Sequence, residues 1–192
     1  MKKIKNDIKL IFAVGNPENE YKNTRHNVGI FFLKSIIKKL NIESTYKKKL
    51  NSYVSNYKDL AQKNIYIVIS NAYMNNSGEC LLQIMNYYKI KSEEILVIQD
   101  EMSLDCSEIF IKFNGSSHGH NGIKDIIQKI NTDKFYKLKI GIGKPKYRSD
   151  NIRHVLSKFE NCERDQMKKK IKAISLKIEI DGLLQTIENL KI

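Results

Sequence analysis

The sequence predicts an α/β fold: one domain with a twisted, mostly parallel mixed central sheet flanked by helices. Compact apolar runs of strand length alternate with stripes of apolar residues three and four apart, the mark of strands alternating with helices. Two strand-like runs, "SYVSNY" and "IYIVIS", follow each other across "KDLAQKN", which adds a hairpin and makes the sheet mixed. There is no repeat, low-complexity linker or segregated tail, and neither proline (Pro17, Pro145) marks a linker, so a single domain over 1–192 is expected.

Taken in order, "IKLIFAV" (8–14) is the first strand. Val28, Phe32, Ile36 and Leu40, with Leu33 and Ile37 beside them, stripe the first long helix. The hairpin follows, and then Ser77 stands where it can cap a helix with Leu81, Ile84, Met85 and Tyr88 on one face. "EILVIQ" and "EIFIKF" read as further strands. Ile123, Ile126, Ile127 and Ile130 stripe a short helix before the strand "YKLKIGIG". From about 161 the tail is helical, with Ile171, Ile174 and Ile178 on one side and a break at Gly182.

Composition narrows the class. No apolar run approaches the ~18 residues of a membrane helix. The basic start "MKKIKNDIKLIFAVGN" is interrupted by Asp7 and Lys9, and "LIFAV" is too short for a signal peptide, so a cytoplasmic protein is expected. Cys80, Cys106 and Cys162 are odd in number and widely spaced, which offers neither a disulfide framework nor a Cys-x-x-Cys metal site. No carboxylate–histidine cluster stands at ligand spacing, so no metal is expected. A net charge of +13 and a pI near 9.5 suit an anionic partner such as nucleic acid. A Lys-, Asn- and Ile-rich composition also arises from an A/T-rich coding sequence, so charge alone leaves both readings open. Runs such as "YKKKL" and "KKK" (168–170) read as solvated faces.

Four polar segments follow strands: "GNPENEYKNTRHN", "NAYMNNSG", "DEMSLD" and "NGSSHGHNG". Ligand sites in open α/β sheets gather beyond the carboxyl ends of strands, so these four are candidates for one site. "GSSHG" matches the serine-hydrolase elbow, with Ser117 as nucleophile, Asp133 or Asp150 as acid and His154 as base in chain order. Its context is poor, because Gly119, His120, Asn121 and Gly122 intervene before the helical stripe. "HGH" (118–120) suggests a metal pair, but adjacent-but-one loop side chains diverge and a third ligand is missing; a ring hydrogen-bonded within the loop is the simpler reading. "GIG" (141–143) leads into Lys144 and Pro145 and not into the helix start that a dinucleotide fingerprint requires.

His26 remains. By itself it reads as a histidine satisfied locally at a helix start. Asp100, just past the end of a buried strand, needs a partner or water. A carboxylate accepting from one ring nitrogen fixes the tautomer and raises the basicity of the other. That pair would make a general base for water. Asn16, Asn75 and Asn121, from three other loops, supply carboxamide donors and acceptors suited to peptide carbonyls, ribose hydroxyls and a polarised ester carbonyl. Base, orienter and amides without a covalent nucleophile describe a water-activating hydrolase.

Together, "GNPENEYKNTRHNVG", "YMNNSG", "DEMSLD" and "GHNGIKDI…KLKIGIGKP" resemble the bacterial peptidyl-tRNA hydrolase family in order and approximate spacing, from about Ile8 to Lys158. The resemblance implies a monomeric, metal-independent esterase with no cofactor, cleaving the ester between a peptide and the 3′ ribose of tRNA. It implies His26 as catalytic base, with Asp100 stabilising its basic form. Asn16 would discriminate peptidyl from free aminoacyl substrate. Tyr21, Tyr73, Asn75 and Asn121 would contact the tRNA end and the peptide, with Met74 lining the cleft. Lys112 and Lys139 match basic positions that would hold tRNA phosphates. Some residues depart from the pattern. Tyr73 replaces the usual Phe, "ISNA" (69–72) replaces Lys-Pro-x-Thr, and "LDCSE" (104–108) replaces Leu-Pro-x-Gly. Ser117 stands where a histidine is common and His118 where glycine is usual. Losing two prolines is expected to loosen those turns. The competing class is a non-catalytic RNA-binding protein on the same scaffold, against which His26, Asp100 and the three Asn argue.

Overall fold

The computed structural model describes residues 7–60 and 62–190. Residues 1–6, which carry part of the argument against export, and Ala61 in the hairpin connector lie outside the described residues. A seven-stranded sheet runs in the order β2-β3-β4-β1-β5-β7-β6. Its strands are β1 (Leu10–Ala13), β2 (Thr45–Lys47), β3 (Ser52–Lys58), β4 (Asn64–Ser70), β5 (Ile95–Glu101), β6 (Ile109–Phe113) and β7 (Tyr136–Gly141). The inner pairs β4–β1, β1–β5 and β5–β7 are parallel, while β2–β3, β3–β4 and β6–β7 are antiparallel, so the sheet is mixed as the hairpin predicts. β2 was not apparent from sequence: it is a fully exposed edge strand, so the Tyr46–Leu50 run is partly ladder as well as solvated.

The helices are α1 (Glu18–Tyr21), α2 (Val28–Lys39), α3 (Ser77–Tyr88), α4 (Asn121–Ile130), α5 (Asn151–Leu156), α6 (Asn161–Asp181) and α7 (Leu183–Asn189), with Gly182 between the last two. Strand alternation sends Ile11, Ala13, Leu96 and Ile98 to the face covered by α2 and α6, and Leu10, Phe12, Ile95 and Val97 to the face covered by α3 and α4. Among the described residues no helix is long and apolar enough to cross a membrane.

This layering opens the cleft. The chain leaves β1 toward α2 on one face and leaves β4 toward α3 on the other. The two exits diverge beyond the carboxyl ends of neighbouring strands, where ligand crevices form. α2 packs tightly there: a Cβ at Gly29 would lie 2.9 Å from the Ile98 carbonyl oxygen, so glycine lets the helix start sit directly against β5. Ser77 does not cap α3. Asn76 occupies the cap position, and the Ser77 hydroxyl donates to the Met74 carbonyl at 2.8 Å, because a short 3₁₀ turn, Met74–Asn76, precedes the helix.

Candidate active site

His26 sits in a 3₁₀ turn, Arg25–Asn27, that leads into α2. Asp100 lies within β5 and not just past it, because the ladder extends to Glu101, two residues beyond the run "EILVIQ". His26 Nδ1 lies 2.7 Å from Asp100 Oδ1, and both residues are buried. Burial alone would raise the Asp100 pKa. The adjoining imidazoles of His26 and His120 outweigh that effect and hold it well below the usual carboxylate range. Asp100 is therefore ionised, and the His26 Nδ1–H donates to it, which leaves Nε2 as the basic nitrogen.

His120 is the residue that sequence reasoning missed. Its Nε2 lies 2.9 Å from the same Asp100 oxygen, and its Nδ1 accepts from the Ile123 N–H at 3.3 Å, capping α4. Because Nδ1 accepts, the ring proton is on Nε2 and goes to Asp100. The local hydrogen bond expected of the "HGH" pair is real, but it also orients the ring onto a carboxylate. The His26, Asp100 and His120 donor atoms lie within 4.8 Å of one another, a cluster that chain spacing conceals. A metal at that position would need His120 Nε2 bare, against the tautomer its helix cap imposes.

Around the three groups is a cavity of about 170 Å³, whose lining includes His26, Asp100, His120, Asn121, Ser117 and Gln99. Gln99 was also missed. It is buried, and its Oε1 has no partner among the described residues.

The other expected residues gather by shared hydrogen bonds and packing. Asn27 accepts from the Asn16 N–H at 2.8 Å and donates to the Asn16 carbonyl at 2.9 Å, pinning the β1 exit to the His26 turn. Asn16 Oδ1 accepts from the Met74 N–H at 2.8 Å, so its Nδ2 hydrogens are left for other partners. Met74 is buried and packs at Gly122, where an added Cβ would come within 2.5 Å of its sulfur. Tyr21 and Tyr73 meet edge to face at 6.4 Å, and the Tyr73 hydroxyl donates to Glu20 at 3.1 Å. Asn75 and Asn121 are exposed.

The two departing turns are held by other means. In "ISNA", the Ala72 N–H donates to Ser70 Oγ at 3.1 Å and the Asn71 N–H to the Asn51 carbonyl at 3.0 Å. In "LDCSE", Ser107 adopts a left-handed φ of 69° and its N–H donates to the Gly141 carbonyl at 3.1 Å. Hydrogen bonds thus supply constraint where the family pattern has proline.

Arg25 explains part of the polar excess in its segment. It is buried and bonds Glu163 through both terminal nitrogens at 2.9 and 2.6 Å, donates to the Ile142 carbonyl at 3.1 Å, and lies over the Phe159 ring. It ties the His26 turn to the start of α6.

The serine-elbow arrangement is not assembled. His154 Nε2 bonds the carbonyl oxygens of Ile142 and Gly143 at 3.2 and 2.9 Å, and Asp133 Oδ2 accepts from the Gly115 N–H at 2.9 Å.

The expected phosphate contacts stand further along. Lys112 is exposed on β6. Lys139 is buried on β7, with its ammonium 2.7 Å from Glu101 Oε2. That pair borders a second cavity, of about 430 Å³, lined also by His118, Lys144, Lys146 and Arg148. It shares Glu101, Met102, His118 and Asn151 with the first, so a basic path leads away from His26.

The family model for peptidyl-tRNA hydrolase matches residues 10–189. The chain belongs to the peptidyl-tRNA hydrolase family. It is 42 % identical over 157 residues to a peptidyl-tRNA hydrolase of Sulfurihydrogenibium sp. (strain YO3AOP1), covering 82 % of each chain. To one of Thermoanaerobacter sp. (strain X514) it is 41 % identical over 180 residues, covering 94 % of this chain and 93 % of the relative. The crystal structure of the Acinetobacter baumannii peptidyl-tRNA hydrolase superposes with a TM-score of 0.84 at 29 % identity, covering 96 % of both chains. The family resemblance drawn from the motifs is thus borne out over nearly the whole chain, and so is the α/β fold.

Proposed function

We propose that this peptidyl-tRNA hydrolase family member cleaves the ester between a peptide, or an N-blocked aminoacyl group, and the 3′ ribose of tRNA, with His26 as general base. The observation that carries the reading is the 2.7 Å contact of His26 Nδ1 with an ionised Asp100 beside a cavity. Nε2 takes a proton from water, the hydroxide attacks the ester carbonyl, and the same proton passes from Nε2 to the ribose oxygen as its bond to the carbonyl carbon breaks. As imidazolium forms on His26, the Asp100 charge stabilises it. Asn16, with its carbonyl oxygen committed to Met74, presents amide hydrogens to the substrate. Asn75 and Asn121 add donors, the latter from the cavity wall at the start of α4. Tyr21, Tyr73 and Met74 line the peptide and 3′-end side. Lys112, and Lys139 through its share of the basic cavity, hold tRNA phosphates, joined by Lys144, Lys146 and Arg148.

On this reading the enzyme works in the cytoplasm as a monomer without a metal, returning tRNA from peptides that left the ribosome early. The test is hydrolysis, by chelator-treated protein, of an N-blocked aminoacyl-tRNA beside the same aminoacyl-tRNA left unblocked. Release from the blocked substrate alone is expected. Tight binding without release would instead favour the non-catalytic RNA-binding reading. Full activity in Ser117→Ala is expected as well, and its loss would revive the covalent route.

A further inference from the structure

The pattern "YKLKIG" sets Lys137 on the polar face of β7, yet the residue is 1 % exposed. It pairs in register with Val97 on β5 and Lys112 on β6. The loop 114–120 reaches over it, with the Gly115 carbonyl on its ammonium, and that loop is also a wall of the cavity at His26. Its near end is attached through Asn114 and Gly115. The Lys137 ammonium donates to the Gly115 carbonyl and lies 4.7 Å from the centroid of the Phe135 ring. The Gly115 N–H donates to Asp133 Oδ2 at 2.9 Å, and the Asn114 N–H donates to the Phe135 carbonyl at 3.0 Å. Gly115 holds φ +98°, a turn open to glycine. Beyond this clamp come Ser117, His118 and Gly119, then His120 on Asp100 and Asn121 on the cavity.

We infer that Lys137 is a positioning residue for ester hydrolysis, its ammonium tethering the Gly115 carbonyl so that the loop sets His120 and Asn121 against the His26–Asp100 pair. The inference rests on the function proposed above. An unmatched buried cation costs stability, and an apolar side chain of similar length would fit a sheet interior better. The charged groups that face it are one acid and two bases. Asp133 attracts the ammonium, whereas Lys139 and Lys112 repel it, and burial is the largest influence, pushing its pKa down to about 8. A cation retained under such conditions points to a role in the site and not in the fold.

The experiment compares wild type, Lys137→Met and Lys137→Arg for kcat and KM on an N-blocked aminoacyl-tRNA, for thermal midpoint, and for amide hydrogen exchange of residues 114–121. Lys137→Met is expected to keep or raise the midpoint, speed exchange in the loop, and lower kcat about tenfold or more with KM changed less. Lys137→Arg, which keeps a charged donor, is expected to recover most of kcat. Unchanged kcat and exchange in Lys137→Met would overturn the inference, and so would a loss of kcat that follows a fall in the midpoint. Should Lys137→Met fail to fold, Asp133→Ala removes the other half of the clamp from a more open position. Faster loop exchange with lower kcat would then support the inference, and no change in either would overturn it. Hydrogen exchange needs no substrate, so an inactive wild type would count against the proposed function and leave the clamp separately measurable.

Discussion

Neighbouring strands β5 and β7 each bury a charge, Asp100 in the wall of the cleft and Lys137 under the loop that leads to it, and the protein treats the two in opposite ways. Asp100 is matched by two imidazoles at 2.7 and 2.9 Å, which hold its carboxyl below the normal range despite burial. Lys137 has a carbonyl and an aromatic ring for partners, and burial draws its ammonium down to about 8. A matched charge adds to folded stability at neutral pH, whereas a half-matched charge subtracts from it. The contrast separates the groups that stabilise the site from the group that the fold tolerates for the sake of a loop.

The largest break in that contrast is Asp100→Asn. It removes the charge facing both imidazoles and permits the wrong His26 tautomer, so hydrolysis is expected to fall about 10²- to 10⁴-fold. Denaturation against pH sharpens the point. The Asp100 pKa is depressed in the folded state, so its stabilisation is complete above the unfolded value of ~3.9 and is lost as pH falls below it. Wild type and Asp100→Asn should therefore converge in stability toward acid; parallel curves would contradict the assignment of charge.

Arg25→Ala comes next. It leaves Glu163 without its fork and frees the His26 turn from α6, for an expected loss of about 3 kcal/mol in chemical denaturation.

Smaller still is the base side. Lys137 titrates at about 8 when folded and at ~10.4 when unfolded, so the unfolded chain holds its proton longer and stability rises with pH between those values. Lys137→Met should abolish that rise. The smallest expected effect is at the exposed rim, where Lys112→Ala should weaken tRNA binding and reduce the salt slope by about one counterion. An unchanged slope would remove Lys112 from the interface.

The architecture was legible because apolar alternation and helical stripes fall on elements with buried faces. β2 and α5 escaped for the converse reason: neither has a buried residue, so neither leaves a hydrophobic period. In the site, His26, Asp100 and the asparagines stood out as polar residues in excess of what turns need at strand exits. His120 did not, because its contact with Asp100 depends on where α4 begins. Arg25 and Glu163 are 138 residues apart, beyond the reach of any local pattern. The burial of Lys137 and Lys139 was not legible, because alternation reports the face of a strand and not what covers it. Here a loop and an acid, Glu101, lie over them. The net charge of +13 was the least informative signal, since Lys137 and Lys139 already have partners.

The most direct test of the account is His26→Ala, measured for both single-turnover hydrolysis of an N-blocked aminoacyl-tRNA and equilibrium binding of tRNA. If His26 Nε2 is the base, turnover vanishes while affinity stays within about twofold of wild type. Retained turnover, or an equal loss of turnover and binding, would contradict it.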